Sequence, residues 1–187
     1  MKRATIFFLA VFALATGASA RDDYSINKIS TNFIQTPQIN FTPNTVGNPT
    51  PQVWLTVEVA FSSNVDFTDE LEFKYFVYMD DKCTSGSVTH VNIPKGFALY
   101  SVMYESPGTM LRPGKNGQVT RPSKNVTEVT VQILAKGQVV AEKSMKGTPT
   151  GWWAKIDQDK GSLLNKNQTP FSSVYWDRYL EIKPAAQ

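Results

Sequence analysis

Few residues in this 187-residue chain are equipped to move protons, attack carbonyls or hold metals. His90, in SVTHVNIP, is the single histidine, so a His-cluster metal site is excluded and a Ser-His-Asp arrangement would have to be built on it. The alternating residues around it predict a half-exposed strand position. Asp157, Asp159 and Gly161 resemble the opening of a calcium loop, but the glycine comes one position early and the distal Glu is missing, which predicts a solvated acidic turn. Asp69-Glu70 and Asp80-Asp81 are adjacent pairs, and neighbours in a strand point opposite ways, so neither forms the facing carboxylates of a glycosidase. Cys83 is the only cysteine, which leaves a free thiol or an intermolecular bridge. These residues predict no catalytic, metal or cofactor site and no enzymatic activity. Trp152, Trp153 and Tyr175 could contact a glycan or a partner, since sugar-binding sandwiches stack exposed rings on pyranose faces; Trp54 is a further aromatic of this kind, and core packing is the competing role.

Charge narrows the partners. Residues 1–20 carry Lys2 and Arg3, an apolar run over 6–15 and the small-x-small end Ala18-Ser19-Ala20, the pattern of a cleaved signal peptide. The run is shorter than the about 20 residues a membrane span needs. Export to the periplasm, outer surface or medium is expected. The 19 basic residues less Lys2 and Arg3 leave 17 against 16 acidic ones, so nothing favours nucleic acid or an anionic membrane.

The elements that must position these residues read as strands. Residues 53–61 place Val53, Leu55, Val57, Val59 and Phe61 on one face, and 71–79 repeat the pattern with Leu71, Phe73, Tyr75, Val77 and Met79. Between them SSNVDFTDE reads as a loop, and after a strand over 87–93 Pro94-Lys95-Gly96 reads as a turn before another strand over 97–104. Residues 125–145 form the clearest hairpin. A three-residue loop, Ala135-Lys136-Gly137, sets Ile133 opposite Val139 and puts Gly137 at positive φ, whereas a two-residue loop mixes polar and apolar side chains on one face. Residues 171–182 suit a strand or a short helix, with the β-favouring types tipping the balance to strand.

The result is an all-β chain, an immunoglobulin-like antiparallel β-sandwich with an N-terminal arm: 1–20 signal peptide, 21–51 arm and Pro-rich linker, 52–187 sandwich. The arm, with Ile26, Ile29, Phe33 and Ile34 as anchors, can add as an edge strand to its own sheet or to a neighbour's, which makes homo-oligomerisation or docking to a protein partner an expectation.

The blocks VWLTVEVAF, DELEFKYFVY, VTHVNIPKG, SVMYESP, VTVQILAKGQVVAE and LLNKNQTPF…YWDRYLEIKP, taken in order over about 53–184, resemble a family of secreted verrucomicrobial proteins. The resemblance implies an immunoglobulin-like sandwich encoded with type IV pilus-like assembly genes, and it carries over no catalytic residue. The retained apolar helix that polymerises pilins is replaced here by a removable signal. The resemblance therefore implies a pilus-associated structural or interaction module, with a carbohydrate-binding module, acting on host or envelope glycans, as the alternative.

Overall fold

The computed structural model describes residues 23–37, 50–111, 126–175 and 177–184. Two long strands dominate it: β2 (Val53–Met79) and β3 (Lys82–Glu105), 27 and 24 residues, joined by a two-residue turn. Met79 faces Lys82 across Asp80 and Asp81, both at positive φ (50° and 58°). Short polar side chains tolerate that conformation, and two such residues make the turn whose twist suits a hairpin.

Neither strand is straight. Twelve residues of extended chain from Phe61 to Phe73 would span about 40 Å, yet their rings lie 4.9 Å apart. The pairing of β2 with β3 slips between Phe61 and Ser63 and again between Ser63 and Phe67, so that each strand bulges in turn and the ribbon folds over on itself. Residues 62–70 are therefore not a loop and 94–96 not a turn; both belong to continuous strands. They read as loop because, at the corner, both faces of the ribbon reach solvent and polar residues fill it.

The fold-over makes a sandwich from one continuous sheet of seven strands. The first layer holds β1 (Tyr24–Gln35), β2 before the corner, β3 after it and the short β7 (Leu163–Asn165). The second holds β5 (Gln138–Ser144), β4 (Val126–Ala135), β2 after the corner, β3 before it and β6 (Gln158–Lys160). Every pairing is antiparallel except the three-residue contact of β6 with β3. A single turn of helix, α1 (Pro107–Met110), is capped by the Ser106 hydroxyl. Leu55, Val57, Val59 and Phe61 from the first layer meet Phe73, Tyr75, Val77, Val131 and Ile133 from the second, all without exposed surface.

The arm is the outer strand of the chain's own first layer. β1 pairs with β2 from Tyr24 opposite Ser63 to Gln35 opposite Val53, with a bulge at Asn27. The hairpin register differs from the expected one. Lys136 (φ 50°) and Gly137 (φ 78°) form a two-residue turn, and the extra residue sits in a bulge just after it, so Ile133 faces Ala141 and not Val139. Two consecutive valines permit this: the bulge buries Val140 and leaves Val139 50% exposed, restoring the inward alternation without a third loop residue. Residues 171–175 and 177–182 form turns and bends rather than the expected strand, with one bridge between His90 and Ile182. Phe171, Val174 and Tyr179 cap the outer face of the first layer, where Phe171 stacks on Tyr104 (4.9 Å, 8°) and meets Trp54 edge-on, while Leu180 and Ile182 pack against the main core.

Candidate functional site

The residues best equipped for chemistry meet at the side of the core that the C-terminal segment closes. His90 is 1% exposed rather than half-exposed, because its position on β3 faces inward opposite Leu71 and the C-terminal segment closes over it. Its Nε2 lies 2.7 Å from Ser101 Oγ, and the Tyr75 hydroxyl donates to the same oxygen at 2.7 Å. Its Nδ1 lies 3.2 Å from the main-chain oxygen of Glu181. One assignment satisfies every group: Tyr75 donates to Ser101, Ser101 donates to Nε2, and Nδ1–H donates to the Glu181 carbonyl. Burial pushes the imidazole down to about 4 and the Tyr75 phenol upward, so both are neutral near pH 7.

A serine and a histidine at this distance have the spacing of a nucleophile and its base. The surroundings remove that role. Ser101 has no exposed surface, its oxygen is occupied on both sides, and the group behind the imidazole is a peptide carbonyl instead of a carboxylate. The arrangement ties three things together: the second layer through Tyr75 and His90, the first through Ser101, and the C-terminal segment through Glu181. Sequence reasoning missed Ser101 and Tyr75 as partners of His90. An inward-facing tyrosine whose hydroxyl needs a partner was the available signal.

A second buried ionisable group lies at the far end of the core. Glu105 is 2% exposed, accepts a 3.3 Å hydrogen bond from Thr84, and is pushed up to about 7, mainly by burial. Cys83 is buried, its thiol pushed up to about 11 by burial, and so is held in the unreactive form. Among the described residues no three His, Cys, Asp or Glu side chains gather as a metal site; Asp159 lies within β6, beside Thr84.

The aromatic candidates are separated. Trp152 and Trp153 lie in a short helical turn (Trp152–Lys155) over the outer face of the second layer, where Trp153 is 9% exposed and stacks on Phe76 at 4.5 Å. Trp152 donates to Thr130 at 2.7 Å, and the two indoles stand at 86°. Perpendicular rings, one of them buried, offer no flat platform for a pyranose. Tyr175 is 57% exposed with φ 55°, in the C-terminal segment that covers the other layer. Trp54 is buried against Phe171. Three of the arm's anchors face inward, Ile26 and Ile29 buried in the core and Phe33 packed against it, while Ile34 packs on the outer face against the Trp54 cluster.

What remains open is the side where β1 and β5 run as outer strands. Between them lies a cleft of about 550 Å³ lined by Tyr24, Ile26, Val139, Glu142, Lys143 and Thr150. Lys143 reaches across it, donating from Nζ to the carbonyls of Ile26 (3.2 Å) and Asn27 (2.7 Å), at the bulge in β1.

A family model matches residues 15–186, almost the whole chain. Among solved structures, the chain is similar to a crystal structure of a protein from Akkermansia muciniphila, with TM-score 0.70 and 26% identity over 88% of this chain and 94% of that one. No curated protein matches. The chain therefore belongs to the family whose model spans residues 15–186, and the verrucomicrobial source of the similar structure agrees with the verrucomicrobial immunoglobulin-like family that its sequence blocks resemble.

Proposed function

We propose that this protein is a non-enzymatic structural or interaction module, exported by its signal peptide to the envelope or cell surface and associated with a type IV pilus-like system. The observation that carries the reading is the fate of the Ser101–His90 pair. The most reactive geometry in the described molecule is sealed under the C-terminal segment and spent on holding two layers together. What the molecule presents outward is the open side, two outer strands flanking a cleft with Val139 half exposed. Outer strands present unpaired backbone groups, and cleft-lining side chains add selectivity. The pilus association rests on the family resemblance alone.

The test is an affinity capture from envelope extract with the mature protein and a Val139→Glu variant, beside a glycan array. A defined envelope protein retained by the first and lost with the second is the expected result, with a silent array. Equal retention by both proteins refutes the open side as the contact. Turnover of any substrate that depends on Ser101 refutes the non-enzymatic reading.

A further inference from the structure

Residues 178–184 cross from the outer face of the first layer to the edge of β3 in the second. Arg178 forms a two-pronged pair with Glu58, at 2.8 Å on each side, and lies over the Tyr100 ring at 4.1 Å. Tyr179 donates to the same carboxylate, Asn92 donates to Glu181, and Lys183 pairs with Glu70. Main-chain pairing is short: Leu180 N–H donates to the Tyr100 carbonyl at 3.4 Å, Val91 N–H to the Glu181 carbonyl at 3.1 Å and Lys183 N–H to the Thr89 carbonyl at 2.8 Å. His90 reaches that Glu181 carbonyl from inside, so a single oxygen receives both the edge of the sheet and the buried imidazole.

We propose that residues 178–184 form an acid-released strap whose latch is His90. The reason lies in the proton inventory of the sealed network. With Nε2 unprotonated, the Ser101 hydroxyl has an acceptor. Once Nε2 carries a proton, Ser101 must accept from it, so its own hydrogen has to turn to Tyr75 and the Tyr75 hydroxyl loses Ser101 as its acceptor. The new charge is enclosed by the Tyr75 hydroxyl and the Phe73 ring from β2, by Ser101 from the other arm of β3, and by the main chain of Leu180 and Glu181 from the strap. The carboxylates around the strap are committed elsewhere: Glu58 to Arg178, Glu70 to Lys183 and Glu181 to Asn92. A buried imidazolium without a counter-charge is unfavourable, and the one packed element that can lift away to let in water is the strap.

The sign follows from the direction of the shift. The imidazole is held near 4 with the strap closed and returns to about 6.5 when the strap opens, so acid favours opening between those values. From pH 7.5 to pH 5 the ratio of open to closed strap rises about 30-fold. Opening uncovers the edge of β3 at Thr89 and Val91, a place where another strand can pair. The proposal is independent of the function proposed above.

The test is amide hydrogen exchange on the full chain, read as protection factors for Val91 and Lys183 at pH 7.5 and pH 5, with Val131 in the core as reference. The expected result is a loss of protection of about 30-fold at the two strap amides and none at Val131. In His90→Gln, which keeps a neutral donor and acceptor, the two strap amides become insensitive to pH over this range. As a measurement on unaltered protein, the His90 ring titrates by NMR with a midpoint below 5. Equal strap protection at both pH values in the wild type, a slope that survives in His90→Gln, or a ring midpoint near 6.5 each overturns the latch.

Discussion

Replacing Glu105 by Gln is expected to uncover a pH dependence that the wild-type protein conceals. Glu105 is sealed in the core with one hydrogen bond from Thr84, and its carboxyl is raised from 4.5 to about 7. A raised carboxyl keeps its proton in the fold while the unfolded chain loses it. Stability therefore falls as pH climbs from about 4.5, and levels off above 7, where the folded form ionises too. A displacement of this size is worth about 3 kcal/mol. His90 acts in the opposite sense over an overlapping window. Its folded value near 4 lies below the ordinary 6.5, so stability falls as pH drops from 6.5 towards 4, again by about 3 kcal/mol. The two slopes offset each other between pH 4.5 and 6.5, and the wild-type protein has a nearly flat profile there. Glu105→Gln retains the shape and an acceptor for Thr84 but does not titrate, so its stability rises with pH through this window. His90→Gln leaves Glu105 alone, and its stability falls with pH instead. Urea melts at pH 4.5, 5.5 and 6.5 give the comparison, with unchanged m-values required before the midpoints are read as stability. Parallel profiles for the two variants would refute the reasoning.

The remaining expectations concern packing. Gly86→Ala places a Cβ 2.6 Å from the Leu163 carbonyl oxygen and 2.8 Å from Leu163 Cβ, so β7 must shift; a loss of about 1–3 kcal/mol in denaturant melts checks it. Gly137→Val forces a β-branched residue to φ near 78° in open space, where the strain is backbone strain alone; about 1 kcal/mol or more is expected, and Gly137→Asn should recover much of it. A chain beginning at Gln52 lacks Tyr24, Ile26 and Ile29, whose burial contributes about 1.5–3 kcal/mol each, so it should show no cooperative thermal transition by circular dichroism.

The inward faces of β2 were legible because strict alternation over Val53–Phe61 and Leu71–Met79 has one physical reading, a half-buried strand. The positive φ at Gly137 was legible because glycine takes that conformation without steric cost and sits where a hairpin turn requires it. Continuity was not. Asn64 to Glu70 has the composition of a loop because both faces of the strand reach solvent at the corner, and composition reports exposure before it reports backbone pairing. The hairpin register failed on one bulge, which carries no compositional mark when both candidate residues are valine. His90 was misplaced because its environment comes from Ser101 and residues 180–181, brought to it across the sequence by tertiary structure.

The two sides of the sandwich are finished differently, and the difference bears on where partners can reach it. On one side the edges of β3 are covered in cis by β6, β7 and the C-terminal segment. On the other, β1 and β5 stay outermost among the described residues, but each carries a bulge, at Asn27 and at Val139–Val140, and Lys143 ties the β5 strand to the Ile26 and Asn27 carbonyls at the β1 bulge. Bulges and an inward-reaching lysine are the devices that keep an outer strand from pairing indiscriminately with another. The N-terminal strand pairs with β2 of its own chain, with Ile26 and Ile29 in the core. A partner at the open side must either engage the cleft around Val139 without pairing along the whole of β5 or displace the Lys143 contact. At the opposite side the covering element is held to β3 by side-chain pairs and three main-chain bonds, so a strand partner there has to displace that element first.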